Sequence, residues 1–266
     1  MRRLLPTLTI VFWVAAILPA AAPAFAQDAA QDAVQRPTPL DEVLVACPSQ
    51  TAGQRSLTQQ GPHWTIDCLW PMAVAQPARV ALNEFIRQTA DDFRRDAEQP
   101  VPEGAPWTYS LTVRHQDFEL PCRGLSTLLE VSTFLGGAHP ATEFHGFTFL
   151  EDGRRVRLAD LFAEPGPALR AIAPLAVERL EAMLRPTGML DPEWLARGTA
   201  PEPGNYGAFA CTPKGLLFVF QHYQVAPYAA GPQRVSIAWE RLEPLLSPVG
   251  RQLAGLDGLD GIKATD

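Results

Sequence analysis

Two histidines and a glutamate lie close together near the middle of the 266-residue chain, and their types could serve a metal ion. Imidazole nitrogens and carboxylate oxygens are ordinary zinc ligands, and His139, Glu143 and His145 fall within a short stretch of sequence. Glu143 and His145 should share one strand face, because alternate strand residues point the same way, but nothing fixes where His139 points. We therefore expect His139 to hydrogen-bond the neighbouring turn backbone, and we expect no metal and no cofactor.

Nucleophilic and acid–base catalysis both lack a complete set of residues. There is no G-x-S-x-G nucleophile elbow, and Cys211 beside His222 could attack only as a thiolate, which an oxidised cysteine does not have. Paired carboxylates for glycoside cleavage must flank a groove, whereas acids at a hairpin turn usually face solvent. The acids available are Glu143, Glu151, Asp152 and Asp160. We expect no catalytic residues, and the sequence favours a protein that is not an enzyme while leaving that question open.

Another distinctive stretch holds two tyrosines among prolines and small residues. Its candidate binding residues are Tyr223, Pro227, Tyr228 and Gly231. Two interpretations stay open. In one, a packed loop buries Tyr228 and the tyrosine hydroxyl bonds to the backbone. In the other, the rings form an aromatic ledge that meets a glycan or a protein partner.

The four cysteines are Cys47, Cys68, Cys122 and Cys211, and an even number in an exported chain indicates disulfides. No C-x-x-C pair occurs, so neither a redox motif nor a zinc ribbon is indicated. Of the three possible pairings we predict Cys47–Cys68, which would close a short hairpin. We also predict Cys122–Cys211, which would tie the turn before a long strand to the start of a central strand.

The N-terminus has the features of an export signal. Arg2 and Arg3 precede an apolar run, Leu4 to Leu18, and Ala24-Phe25-Ala26 is an A-x-A cleavage site. Residues 1–26 are thus predicted to be a signal peptide, with an uncleaved membrane anchor as the alternative. After cleavage we expect a periplasmic or secreted protein with no membrane association.

The chain is acidic throughout. Its net charge is −7, and loss of the two signal arginines would make it about −9. Such a charge disfavours binding to nucleic acid or to an anionic membrane surface, and it would attract a cationic partner.

Hydrophobic periodicity predicts an α+β fold with a mostly antiparallel sheet and two main helices packed against it. Two turn motifs organise its centre, a stiff corner at Gly136-Gly137-Ala138-His139-Pro140 and a hairpin turn at Asp152-Gly153, because both allow positive φ. The predicted helices are Pro77–Ala97, Ala168–Leu184 and a short Glu240–Leu246. The predicted strands are Val43–Cys47, Trp64–Trp70, Trp107–Arg114, Leu125–Leu135, Phe144–Leu150, Val156–Leu161, Leu216–Phe220 and Arg234–Trp239. Ser49–Gly61 is predicted to be a polar turn region, and Pro186–Asn205 a long loop.

These motifs also carry a family resemblance. The glycine corner, the Asp-Gly hairpin and Leu158-Ala159-Asp160-Leu161-Phe162 resemble a family of secreted bacterial domains of unknown function. Two later stretches, Gly215–Phe220 and Gln224–Gly231, fit the same family. It occurs in the lysozyme-sensing anti-sigma factor RsiV and ahead of the catalytic domain of the peptidoglycan deacetylase PdaC.

The resemblance implies a division near the glycine corner, into an N-terminal PdaC-like subdomain at 41–135 and a C-terminal RsiV-like subdomain at 136–248. A disordered linker, 27–40, would precede them, and a flexible tail, 249–266, would follow. Deacetylase activity does not carry over, since it belongs to a separate catalytic domain whose metal-binding motif is absent here.

Together, these observations predict an exported cell-envelope domain that binds a basic lysozyme-like protein or a peptidoglycan fragment without catalysis. The alternative is a peptidoglycan-modifying hydrolase or deacetylase.

Overall fold

The computed structural model describes residues 51–98, 101, 107–121 and 124–256, all within one compact unit of the chain. The strands are β1 (Thr51–Gln60), β2 (Trp64–Ala73), β3 (Tyr109–Glu119), β4 (Leu125–Phe134), β5 (Ala141–Phe149), β6 (Arg155–Val156), β7 (Phe209–Thr212), β8 (Gly215–Phe220) and β9 (Gln233–Ala238). The helices are α1 (Gln76–Asp96), α2 (Pro165–Leu184), α3 (Pro192–Gly198), α4 (Trp239–Leu242) and α5 (Pro248–Ala254). The predicted signal peptide and linker lie outside the described residues.

Six strands form one sheet in sequence order, β1 to β6, and every neighbouring pair is antiparallel except β2 and β3. Parallel neighbours need a crossover connection, and α1 supplies it. Pro77 lies in the first turn of α1, where its missing N–H costs no hydrogen bond. The buried residues of α1 recur at helical spacing and pack on the sheet: Ala78, Leu82, Ile86, Ala90 and Phe93.

A second sheet, ordered β7-β8-β9, lies behind the first. Every residue of β8 is buried. Leu216, Phe218 and Phe220 share a core with α2, whereas Leu217 and Val219 share one with the six-stranded sheet. The layers are therefore α1, the six-stranded sheet, the three-stranded sheet and α2. Strand β8 is apolar throughout because another layer covers each of its faces.

Close contacts fix how the two sheets meet. The Ser126 hydroxyl on β4 accepts a hydrogen bond from the Cys211 backbone N–H (2.9 Å) and lies 2.9 Å from the Thr148 hydroxyl on β5. At Gly146, a Cβ would lie 1.7 Å from the carbonyl oxygen of Phe209. Only glycine at this position of β5 lets β7 come so near.

The predicted α+β class is confirmed, with mostly antiparallel sheets and the two main helices in place. The central strand β8 and the hairpin around Asp152-Gly153 are present as well. Gly136, Gly137 and Gly153 all have positive φ, at 93°, 106° and 83°. Among the described residues, no helix is both long and apolar enough to cross a bilayer. The division into two subdomains stays a prediction.

The polar turn region predicted at Ser49–Gly61 is wrong over most of its length, because Thr51–Gln60 forms β1. This strand lies at the edge of the sheet and nearly all of its side chains are exposed, so no apolar alternation marks it in the sequence. Its backbone pairing with β2 holds it in place. Val43–Cys47, which was predicted to pair with β2, lies outside the described residues.

The strand predicted at Val156–Leu161 is wrong beyond its first residue, because Leu158–Leu161 forms a 3-10 turn. There the Asp160 carboxylate accepts a hydrogen bond from the backbone N–H of Arg157 at 2.8 Å. Local side-chain bonds of this kind compete with strand pairing.

Two predicted irregular segments contain capped helices. Within the predicted loop Pro186–Asn205, the Asp191 carboxylate accepts from the backbone N–H groups of Glu193 and Trp194 and so begins α3. The Ser247 hydroxyl, just before the predicted flexible tail 249–266, caps α5, and this helix extends into the tail as far as Ala254. Short helices with one cap and little periodicity are hard to recognise in a sequence.

Candidate functional site

Four rings from two distant parts of the chain meet at the surface, and we call them the ring cluster: His139, His222, Tyr223 and Tyr228. The Tyr228 ring stacks on His139 at a centroid distance of 3.8 Å and on His222 at 4.5 Å, with interplanar angles of 17° and 23°. Two rings do not fit side by side on one face at such distances, so they cover opposite faces of Tyr228. Tyr223 lies 5.6 Å away and tilted.

The glycine corner presents His139 to this cluster. Gly136 and Gly137 turn the chain with positive φ between β4 and β5, and the His139 ring nitrogen Nδ1 lies 3.1 Å from the carbonyl oxygen of Pro140. The expected bond to the turn backbone is therefore present, and it directs the ring toward Tyr228. His139 itself remains exposed to solvent.

Tyr223 is held in an unusual backbone conformation. It has φ of 63°, the only positive φ of a non-glycine residue among the described residues. The Trp194 indole N–H donates to the Tyr223 carbonyl oxygen at 2.7 Å, and the Gln224 side-chain amide donates to the carbonyl oxygens of Gly198 and Asn205. A positive φ is ordinarily unfavourable for an aromatic residue. These bonds to α3 and its neighbouring turn offset that strain.

The remaining candidate residues shape the loop that carries Tyr228. Pro227 precedes a 3-10 turn at Tyr228–Ala230, and Gly231 leaves the turn with φ of 68°. The Gln233 amide donates to the Ala230 carbonyl at 2.6 Å and so pins the turn to the start of β9. All four predicted binding residues therefore belong to one short loop between β8 and β9.

The loop does not bury Tyr228 in the manner of the packed-loop interpretation. Tyr228 is half-buried between two imidazoles, and no described residue hydrogen-bonds its hydroxyl. Tyr223 is 52% exposed. The Nδ1 atom of His222 is buried without a hydrogen-bond partner among the described residues. Solvent-facing rings and an unsatisfied imidazole nitrogen are features of a surface that meets a ligand.

The structure does not assemble His139, Glu143 and His145 into a metal site. His145 contacts the Phe85 ring on the α1 side of the sheet, at a centroid distance of 5.0 Å, whereas His139 stacks on Tyr228. Within the part of the chain that the structure describes, no three His, Cys, Asp or Glu side chains are placed to hold a metal ion. Burial lowers the pKa of His145, and Glu143 at 3.4 Å opposes that shift without reversing it.

A second feature, which we call the groove, consists of two adjoining hollows of about 670 and 330 Å³. They share Gly146, Arg155 and Gly207. The larger hollow is lined by Glu84, Phe85, His145 and Phe147, among others. The smaller one is mainly apolar and is lined by Leu158, Phe162, Leu169 and Phe209, among others. The groove and the ring cluster are connected through adjacent residues: Gln221 lines the groove, and His222, the next residue, belongs to the ring cluster.

The described cysteines are buried. Cys68 is 0% exposed, and burial, with the nearby charge of Asp67, raises the pKa of its thiol to about 11. Cys211 is also 0% exposed, so a substrate cannot reach its sulfur. Cys47 and Cys122 lie outside the described residues, and both disulfide pairings therefore stay predictions.

Comparison with known proteins shows which family the C-terminal part of the chain resembles. Residues 159–240 match DUF3298, a protein family of unknown function. The predicted resemblance is thereby confirmed. A solved DUF3298 structure from Bacteroides fragilis has a TM-score of 0.52 at 18% identity, over 77% of this chain and 99% of that one, which shows a shared fold.

Three relatives match a longer part of the chain. The immunogenic protein MPT64 of Mycobacterium tuberculosis is 28% identical over 173 residues, 64% of this chain and 74% of that protein. Esterase Rv3036c of the same organism is 27% identical over 187 residues, 70% of this chain and 79% of that protein. The peptidoglycan-N-acetylmuramic acid deacetylase PdaC of Bacillus subtilis is 21% identical over 192 residues, which is 72% of this chain but 41% of PdaC.

The sequence indicates Tyr223 and Tyr228 as candidate binding residues but does not indicate the rings that stack on Tyr228. The signal for His222 is its position between the buried strand β8 and Tyr223. Arg155 has no local signal, because its surroundings depend on Phe147 and on the distant loop at Gly207.

Proposed function

We propose that the protein is an exported cell-envelope domain that binds a peptidoglycan fragment or a basic lysozyme-like protein through the ring cluster, without catalysing a reaction. The observation that carries the proposal is the meeting of two separate turn motifs in one stack, with His139 and His222 on either side of Tyr228. The sequence features of an export signal support placement outside the cytoplasm.

Ring geometry supports a binding role for the cluster. Tyrosine and histidine rings combine an apolar body with a polar edge, and such side chains are favoured where a surface meets a sugar ring or a protein. The positive φ of Tyr223 adds to this, since strained backbone persists where surrounding bonds fix it and is concentrated at functional sites.

Charge supports the basic protein as one of the two partners. The chain carries a net charge of −7, and opposite charge speeds encounter between partners and disfavours the wrong ones. Charge alone does not supply affinity, so contacts at the ring cluster would have to slow the dissociation of the complex.

Calorimetry tests this proposal. We expect muropeptides or lysozyme to bind the purified protein, with lysozyme binding weakened by a change from low to physiological salt. Tyr228→Ala should weaken the binding by at least tenfold, since truncation of a central aromatic residue commonly costs about 2 kcal/mol or more. Met183→Ala, at an exposed apolar residue on α2, is the matched control and should leave affinity unchanged. Absence of heat with both ligands, or equal losses in the two variants, would contradict the proposal.

A hydrolase is the second candidate, and one observation favours it. His145 lines the larger hollow with a lowered pKa, so it is largely neutral at pH 7 and could accept a proton. The esterase and deacetylase relatives give a reason to assay both reactions, although the match spans 41% of PdaC. Turnover of an aryl ester or of an acetylated muropeptide that disappears in His145→Ala or His139→Ala would replace the binding proposal.

A further inference from the structure

Arg155 stands where the two hollows of the groove meet. Its guanidinium carbon lies 4.3 Å from the centre of the Phe147 ring, so the aromatic face holds the cation in place. Arg157 lines the smaller hollow nearby. Among the residues that the structure describes, no carboxylate lies within 4.0 Å of either guanidinium.

No acid among the described residues therefore pairs directly with either of these two exposed cations. Burial and the charge of Arg157 both lower the pKa of Arg155, as expected for two like charges in a partly enclosed site. Arg87 and Arg114 pair with acids, whereas the exposed Arg154 pairs with none of the described acids, so the lack of an acid partner alone does not set Arg155 apart. Arg155 differs from Arg154 in lying over the Phe147 ring at the junction of the two hollows. An anion placed between the groove walls would supply the missing partner.

The smaller hollow offers a place for an apolar group attached to that anion. Its walls include Leu158, Phe162, Leu169 and Phe209, and its volume of about 330 Å³ falls at the lower end of small-molecule sites. An apolar lining with one or two well-placed charged groups is typical of such sites.

We propose that the groove binds a medium-chain acyl carboxylate, with the carboxylate on the guanidinium of Arg155 and the acyl chain in the smaller hollow. The planar fork of a guanidinium matches the two carboxylate oxygens. A carboxylate fits better than a phosphate because a single guanidinium faces the junction, and because Glu84 lines the same groove in an acidic chain. This site is separate from the ring cluster and does not depend on the function proposed for it.

Calorimetric titration with octanoate tests the head-group contact. We expect saturable binding to the purified protein and at least a tenfold weaker affinity in Arg155→Gln, equivalent to about 1.4 kcal/mol. Arg154→Gln is the matched control, since Arg154 is an exposed arginine one position away that does not line the groove. Its affinity should stay within twofold of wild type. No binding of octanoate, or equal losses in the two variants, would overturn the proposal.

Gly207→Leu tests whether octanoate binds in the groove, and it does so without straining the backbone. Gly207 has φ of −68°, and a Cβ there would lie at an ordinary 3.6 Å from the Gly204 carbonyl oxygen. The leucine side chain would enter the groove at the junction, so octanoate binding should be lost while the melting temperature is kept. Octanamide, which has the same tail without the charge, should bind at least tenfold more weakly than octanoate. Equal binding of octanamide, a clear preference for octyl phosphate, or unchanged binding by a folded Gly207→Leu protein would each contradict the assignment.

Discussion

The ring cluster and the groove are neighbours built in opposite ways. The ring cluster is a group of partly exposed rings presented by two turns, and its shape depends on positive φ at Gly136, Gly137 and Tyr223. The groove is a hollow between layers, and its shape depends on how closely β7 approaches β5 at Gly146. Local turn conformation therefore determines the ring cluster, whereas packing between the sheets determines the groove. Separate substitutions should damage the two sites separately.

The largest effect is expected from Gly146→Val, which should disturb both regions. Its Cβ would lie 1.7 Å from the Phe209 carbonyl oxygen, so the two sheets would have to move apart. Such overpacking costs about 3 kcal/mol or more of the free energy of unfolding in a tight core. Denaturant unfolding measures it, with Gly204→Ala as the control, since nothing lies within 4 Å of a Cβ there. A Gly146→Val protein as stable as wild type would show that the sheets do not meet as described.

Gly137→Val should destabilise less and affect the ring cluster alone. A Cβ at Gly137 meets no atom within 4 Å, so the cost comes only from φ of 106°, which a β-branched residue adopts poorly. We expect a loss of about 1–3 kcal/mol in the free energy of unfolding, together with weaker muropeptide or lysozyme binding and intact octanoate binding. An unchanged melting temperature would mean that the corner tolerates another conformation.

Trp194→Phe isolates the hydrogen bond that holds the Tyr223 backbone. Removal of the indole N–H leaves the Tyr223 carbonyl without its donor at 2.7 Å and should cost about 1 kcal/mol. Ring-cluster binding should weaken as Tyr223 relaxes, while octanoate binding stays the same. A loss of octanoate binding equal to the loss at the ring cluster would show that α3 supports both sites and that they are not separable.

The smallest effect is expected from the titration of His145. Because its folded-state pKa is lowered, the folded protein binds this proton less readily than the unfolded chain does. The stability contributed by neutral His145 is therefore fully present above about pH 6.5 and is lost as the pH falls through the lowered pKa. Melting temperatures of wild type should drop more on acidification than those of His145→Gln. His63→Gln, at an exposed histidine, is the control, and its melting temperature should fall with pH as that of wild type does. If the melting temperature of His145→Gln falls equally, the pKa of His145 is not lowered in the folded protein.

Sequence patterns predicted the elements whose burial is periodic. The stripe Leu82, Ile86, Ala90 and Phe93 gave α1, and the continuous apolar run gave β8. The sequence does not predict the exposed edge strand β1, because this strand is held by backbone pairing with β2 and not by its own side chains. The sequence predicts both turn motifs of the ring cluster. It does not predict that the two turns contact each other, because that contact forms only in the tertiary structure. The groove gave no local signal, since its residues come from α1, β5, β6 and a loop near Gly207.

Partner binding at the ring cluster can be measured by an NMR titration of the aromatic side chains with muropeptide, and separately with lysozyme. We expect one of these ligands to shift the ring resonances of His139, His222, Tyr223 and Tyr228, while those of Phe85 and His145 in the groove do not shift. Shifts confined to Phe85 and His145, or no shifts at saturating concentrations of both ligands, would contradict the assignment of partner binding to the ring cluster.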